Sequence, residues 1–411
     1  MQSIEREKVM NKKILLPLLA LSLAGCGPSY TETPVGGNPT PPPTDPAPDT
    51  PITDVARSGY KALSYDPSDV QKLPVPAAVA EGQKWAEVTA MSDDFSYDFV
   101  AATEKTYFGD NKWYNFYHAD WDGPGSTYWK HDHVSVKDGN LAFKASRSAR
   151  SDKQDKPGVD LGVITSATQV VYPAYVEASV SLPDVSLAIA VWLLTPDDTQ
   201  EIDIIEAYPG AENDNSYFSK VIHLSHHSFI REPFTDYQPK DKNSWWKSEI
   251  EGFASWGQFG WNSGDRQYMQ VGTYWVSPFH FEYYINGELV RVLYHNAFAS
   301  KVDDKWEYTY PVADANGDII ITDGFQDIKE YAVNSGDFDI ATLKEASAAS
   351  SVSVIDPYSY QAGKGFYKPA DIIINMELQD WWKADPTDAQ LADESGKTTM
   401  LVDWIRVYKP Q

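Results

Sequence analysis

The sequence predicts an all-β protein, a sandwich or barrel of many short strands. Two observations come from the residues. Apolar and polar residues alternate with a period of two in several segments, and convincing helical periods are few. Turn chemistry separates those segments at short intervals.

Tyr175 to Leu182 alternates strictly. Phe281 to Ile285 and Glu288 to Leu293 flank Asn286-Gly287, a hairpin turn pair. In the last strand, Leu401 to Tyr408, period two places Val402, Trp404, Arg406 and Tyr408 on one face. Only Asp339–Ala349 and Asp388–Ala392 read as helices. The sequence shows no internal repeat.

The N-terminal quarter has a different character. Asn11-Lys12-Lys13, the apolar run Ile14 to Leu23 and Leu23-Ala24-Gly25-Cys26 form a secretory leader, too short to span a bilayer. The four-residue ending resembles a bacterial lipobox. This assigns residues 1–25 to a lipoprotein signal peptide, makes Cys26 the lipidation site and implies export to the outer membrane or cell surface. Met10 is an alternative start. Residues 26–84, dense in Pro and Thr near their start, read as a tether and lead-in. Residues 85–411 read as the catalytic unit, with 295–362 a possible insertion. Cys26 is the single cysteine, so no disulfide exists within the chain.

The net charge of −25 disfavours nucleic acid and anionic lipid surfaces as partners. Membrane contact is expected only through the lipid anchor, and a monomer is expected. Fourteen Trp and 25 Tyr supply flat rings suited to sugar faces, although a sheet-rich core uses the same residues.

The segment carrying the chemistry is Gln200-Glu201-Ile202-Asp203-Ile204-Ile205-Glu206-Ala207. Glu201 and Asp203 share a strand face, whereas Glu206 falls on the other unless one residue is bulged out near Ile204-Ile205. With that bulge, three carboxylates line one surface. Such crowding suits retaining glycoside hydrolysis, with Glu201 as nucleophile, Glu206 as general acid/base and Asp203 tuning both. An acidic solvent face and a calcium site are the competing readings.

With these residues the chain resembles family 16 glycoside hydrolases, and most nearly their β-agarases. Trp121 to Trp129, Ser179 to Tyr208, His223 to Phe234, Ile374 to Glu377 and Val402 to Tyr408 carry the resemblance. It implies a β-jelly-roll sandwich of two stacked antiparallel curved sheets with an open concave substrate cleft, and endo-acting, retaining cleavage of β-1,4-galactosidic bonds in agarose or a related red-algal galactan. It also implies Trp192 as a sugar platform, Trp129 as a further stacking residue, and His223, Arg231 and Glu377 as hydroxyl-binding groups. Read alone, a core position is the competing reading for Trp192 and an ion pair that for Glu377. Strand parity separates His226 from His223 and His227, which argues against a shared zinc site. The chain departs from the agarase pattern at Leu378 and at Trp381-Trp382.

No organic cofactor is expected. A structural calcium is, with Asp94 and Asp403 as candidate ligands; Asp314 to Asp318 is a weaker calcium loop. The competing functions are a porphyranase, carrageenase or laminarinase of the same family, and a non-catalytic glycan-binding lipoprotein.

Overall fold

The computed structural model describes residues 74–119, 121–248, 252–379 and 385–411. The leader, Cys26, most of the tether and Trp381-Trp382 lie outside the described residues.

Two large antiparallel sheets stack on a common core. One sheet runs from its edge through Phe234–Tyr237, Val221–Arg231, Gln200–Ala207, Ala188–Leu194, Asp371–Glu377 and Val163–Ser166 to two short strands at Trp113–Tyr114 and Tyr107–Phe108. The other centres on Ala174–Ser181, paired with Met269–Ser277 on one side and Met400–Pro410 on the other. The apolar alternates of both sheets meet between them. Val176, Ala178 and Val180 oppose a set that includes Val191, Leu193, Ile202 and Leu224 in one continuous core.

The hairpin forms as its turn pair dictates. Asn286 and Gly287 both have positive φ, at 49° and 78°, and Ile285 pairs with Glu288. Asp339 caps the helix Ile340–Ala348 by accepting from the amides of Ala341 and Thr342. Thr387 caps Asp388–Leu391. A third short helix, Trp256–Trp261, gave no periodic signal in six residues.

One expectation fails in the last strand. Ser179 pairs with Trp404 but Val180 pairs with Val402, so Asp403 is an extra residue. The bulge turns Val402 into the core with Ile405 and Val407. Only Trp404, Arg406 and Tyr408 stay together, with the Arg406 guanidinium 4.4 Å from the Trp404 ring and 5.5 Å from the Tyr408 ring.

The outer face of Ala174–Ser181 is also covered. Glu177 is buried in contact with Arg406, and Tyr175 packs with Tyr274, Tyr284, Tyr408 and Ala77. Val75 and Ala77 therefore pack before the first strand, Trp85–Glu87, and the Trp85 indole donates to the Ala77 carbonyl at 2.7 Å.

Residues 295–362 mostly widen the second sheet. Ala297–Val302, Lys305–Pro311 and Ile328–Ser335 add three strands, and the helix Ile340–Ala348 seals a small core of Trp306, Tyr308, Leu343 and Ala346. Asp314 is committed to an Asx turn, accepting from the amides of Asn316 and Asp318.

Candidate active site

The strand Gln200–Ala207 is β-branched at Ile202, Ile204 and Ile205, and it is clamped on both sides by long neighbours. Asp203 pairs with Ser225 and Glu206 with His223, so three steps on the acid strand match two on its partner. On the other side Ile205 pairs with Val191 and Asp203 with Trp192. The extra residue lies at Ile204-Ile205, as the motif requires. Glu201, Asp203 and Glu206 consequently share the face turned away from the core.

The registers build three rows across that face. His223, Glu206, Ala190 and Asn375 form one, and Ser225, Asp203, Trp192 and Ile373 the next. His227, Glu201, Leu194 and Asp371 form the third. His226 points the other way, its Nε2–H donating to the Ile355 carbonyl in the core (2.9 Å) and its ring stacked on Phe281. Its burial drives its pKa down to about 3, so it stays neutral.

Glu206 is held by two groups. His223 Nδ1 lies 2.9 Å from Oε2, and the Tyr208 hydroxyl donates to Oε1 at 2.6 Å. Burial pushes Glu206 upward, but the His223 contact and the Tyr208 hydrogen bond outweigh it and the net shift is downward. Burial holds His223 neutral, and its ring stacks on Trp245 with centroids 4.4 Å apart. His223 Nε2 is buried with no partner among the described residues, leaving one ring nitrogen to meet a ligand.

Glu201 differs. Neither of its oxygens has a hydrogen-bond partner among the described residues. Burial, and then the charge of Asp203, hold it well above the carboxylate range. His227 sits beside it with Nε2 3.8 Å from Glu201 and 3.6 Å from Asp203. Burial alone would neutralise His227, but Asp236 and then the two acids raise it to about 10. Glu201, Asp203 and His227 bring donor atoms within 4.8 Å of one another, the spacing of a metal site. With Asp236 on its other ring nitrogen, His227 is a counter-cation to the two acids. Burial and the charge of Asp203 thus favour protonation of Glu201, whereas the contacts of Glu206 favour its ionised form.

The expected sugar contacts are sorted by their surroundings. Trp192 is on the acid face but wholly buried: its Nε1 donates to Asn375 at 2.7 Å and Tyr117 lies over it with centroids 6.3 Å apart. The ring is therefore a packed wall here, because its N–H is engaged by Asn375, Tyr117 lies over it and none of it is exposed. Trp129 is likewise buried, donating to the Met376 carbonyl at 2.9 Å, with Tyr117 stacked on it and Trp121 edge-on. A cavity of about 410 Å³ opens beside Trp129, lined in part by Phe116, His131 and Arg150. Arg231 lies at the opposite edge, between the Phe229 and Phe234 rings, with Nη1 unpaired among the described residues. Glu377 is not in an ion pair: Asn375 donates to it at 3.0 Å and Gln379 also bonds it. Burial, then the charge of Glu206, raise it well above the carboxylate range.

Sequence reasoning missed several groups. His118 bridges Asp198 (2.7 Å) and Asp371 (2.9 Å), and Tyr117 donates to Asp198, which pins the turn before the acid strand. Asp236 lies two residues beyond the quoted His223 to Phe234 block, on a strand whose pairing with Val221–Arg231 no local pattern announces.

Asp94 and Asp403 lie near each other on the far sheet. Asp403 is raised to about 6 by burial and then by the charge of Asp94.

A family model described as the β-porphyranase A–D domain of glycoside hydrolase family 16 matches residues 85–331. The chain is 41% identical over 378 residues to β-agarase D of Zobellia galactanivorans, covering 84% of this chain and 75% of that protein. It is 38% identical to a β-agarase of Phocaeicola plebeius, covering 82% and 88%. The crystal structure of the β-agarase D catalytic domain superposes with a TM-score of 0.73 at 40% identity, covering 82% of this chain and 98% of that one. An inactivated β-agarase B in complex with agaro-octaose matches with a TM-score of 0.59 at 37% identity, covering 83% and 99%.

Proposed function

Since the chain belongs to glycoside hydrolase family 16, whose jelly-roll it shares, we propose that it is an endo-acting, retaining β-agarase in which Glu201 is the nucleophile and Glu206 the acid/base. The observation that carries the division of roles is the unequal hydrogen bonding of the two buried acids. Glu201 has bare oxygens beside a cationic His227, which suits a carboxylate that must attack. Glu206 is bonded to a neutral imidazole that donates in one tautomer and accepts in the other. The same contact thus serves Glu206 as carboxylate and as acid.

In the first step a Glu201 oxygen bonds to the anomeric carbon while the bond to the departing sugar oxygen breaks. The electron pair leaves with that oxygen, which takes the Glu206 proton. In the second step Glu206 takes a proton from water, whose oxygen displaces Glu201. This cycle needs Glu201 ionised and Glu206 protonated at the start, the reverse of the resting preference. Two features supply the exchange: Asp203, between the two on the strand, relays the proton that Glu201 sheds to Glu206, and positive charge developing at the anomeric carbon favours ionised Glu201.

Agarose is the proposed substrate because the relatives matched at 30–41% identity over most of this chain are named agarases. A porphyranase from a gut bacterium matches at 16% identity, which shows the fold alone. His223 Nε2 and Arg231 Nη1 are the unpaired donors proposed to meet sugar hydroxyls, with Glu377 accepting and Trp192 and Trp129 shaping the wall. We also propose the N-terminal leader and Cys26 lipidation that place the enzyme outside the cell, monomeric, and a structural calcium at Asp94 and Asp403.

The test is hydrolysis of agarose, porphyran, κ-carrageenan and laminarin, followed by reducing ends and product size. Even-numbered oligosaccharides from agarose, lost by at least about 10⁴-fold in Glu201→Gln with binding retained, are the expected result. Full activity in Glu201→Gln refutes the roles, and activity confined to another polymer refutes the substrate.

A further inference from the structure

A fourth carboxylate stands at the edge of the acid face. Asp236 lies on the edge strand Phe234–Tyr237, paired with Phe229. Both of its oxygens reach His227 Nδ1, at 3.0 and 3.1 Å. Two contacts to one nitrogen fix the ring plane, and Phe229 packs on the ring face with centroids 5.3 Å apart. The imidazole is wholly buried, and its opposite nitrogen is aimed between Glu201 and Asp203. That nitrogen, Nε2, is buried with no hydrogen-bond partner among the described residues. A buried polar atom is seldom left so unless a functional state uses it.

We propose that Asp236 is a positioning residue of the reaction, holding His227 doubly protonated so that its Nε2–H supports negative charge on Glu201. This rests on the proposed roles of the acids and adds a member outside their motif. The benefit falls mainly on the second step. There the Glu201 carboxylate is the leaving group, and it regains its charge within 4 Å of a fixed cation. No proton needs to move along the Asp236–His227 contact; Asp236 orients the ring and sustains its charge, as the carboxylate does for histidine in hydrolase triads.

The charged and titratable groups around His227 set the direction of the pH effect. Asp236 faces it from the edge strand and Glu201, Asp203 and Glu206 from the acid strand. His223 and His226 lie on its own strand and oppose its charge or stay neutral. Asp236 is the largest upward influence. Removing its charge therefore brings His227 down toward neutrality, and activity should fall as pH rises through the new value.

The experiment compares wild type, Asp236→Asn and Asp236→Glu on agarose between pH 5 and 10. In parallel, ¹⁵N spectra of histidine-labelled protein report the protonation of His227. The proposal expects Asp236→Asn to lose at least about tenfold in kcat with KM within about threefold. It also expects a new alkaline limb below pH 9, and substantial recovery in Asp236→Glu. The wild-type spectrum should show both ring nitrogens of His227 protonated at pH 8, and that of Asp236→Asn should not. A neutral His227 in wild type overturns the proposal whatever the activity. So does an Asp236→Asn enzyme with wild-type kcat and pH profile, or one whose kcat and KM fail together with no new limb. A wild type that cleaves no galactan overturns the agarase reading instead, while the spectra still judge the dyad.

Discussion

Asp241 and Arg291 offer a measurement that joins stability to the active site. Arg291 comes from the second sheet and Asp241 from the connection after the edge strand of the first. Both are buried, and the pair is bidentate: Nη2 to Oδ1 at 2.5 Å and Nη1 to Oδ2 at 3.1 Å. Charges about 3 Å apart at an effective dielectric near 20 attract by roughly 5 kcal/mol. Asp241→Asn keeps the shape and removes the charge, leaving the guanidinium with the Ser300 hydroxyl and one amide oxygen. Breaking a buried pair in this way costs about 3–5 kcal/mol. At roughly 2 °C per kcal/mol for a large domain, the melting temperature should drop by about 6–10 °C. Asp241→Asn, Arg291→Met and the double variant would be unfolded in guanidinium chloride and followed by tryptophan fluorescence. The double variant should regain at least half of the loss, because no charge is then left alone. A single variant within about 1 kcal/mol of wild type, or a double variant at the sum of the singles, would refute the reasoning. There is a local consequence as well. Asp241 caps the turn Lys242–Ser244 that leads into Trp245, the ring stacked on His223. Loss of the pair should therefore appear in near-UV circular dichroism and in turnover.

Two further outcomes follow from the site. His223→Ala removes the strongest influence holding Glu206 down, so Glu206 rises; the alkaline limb of kcat/KM should move to higher pH while kcat falls by about 10–100-fold. An alkaline limb that stays in place would mean that Glu206 is not the acid. Chelator-treated protein should melt at lower temperature than protein in millimolar calcium, and Asp403→Asn should abolish the difference, measured by differential scanning calorimetry. A calcium effect undiminished in Asp403→Asn would place the ion elsewhere.

Much of the site was legible because the acid motif fixes its own geometry. Three acids spaced two and then three residues apart can share a face only through a bulge, and the bulge lies at Ile204-Ile205. Parity likewise separated His226 from His223 and His227. The same rule failed at Val402, because a bulge at Asp403 carries no repeated chemistry to betray it. Asp236, His118 and Asp371 were illegible for another reason. Their partners lie on other strands, at sequence separations set by topology rather than by spacing. The surroundings of Trp192 were illegible because a resemblance by position does not show that Tyr117 and Asn375 engage the ring.

The covered outer face has a mechanical consequence. Residues 74–84 lead into Trp85–Glu87, which pairs with Tyr408–Pro410, the far end of the chain. Lys84 and Gln411 exchange both backbone hydrogen bonds at 2.9 Å, and the Val88 amide donates to the Val407 carbonyl. Tension arriving from the N-terminal side thus meets an antiparallel clasp first. Pulled along the strand axis, its hydrogen bonds share the load in shear, with the Trp85 indole bond and the tyrosine packing behind them. Drag on a bulky polymer would be borne at this clasp, on the opposite sheet from the catalytic acids.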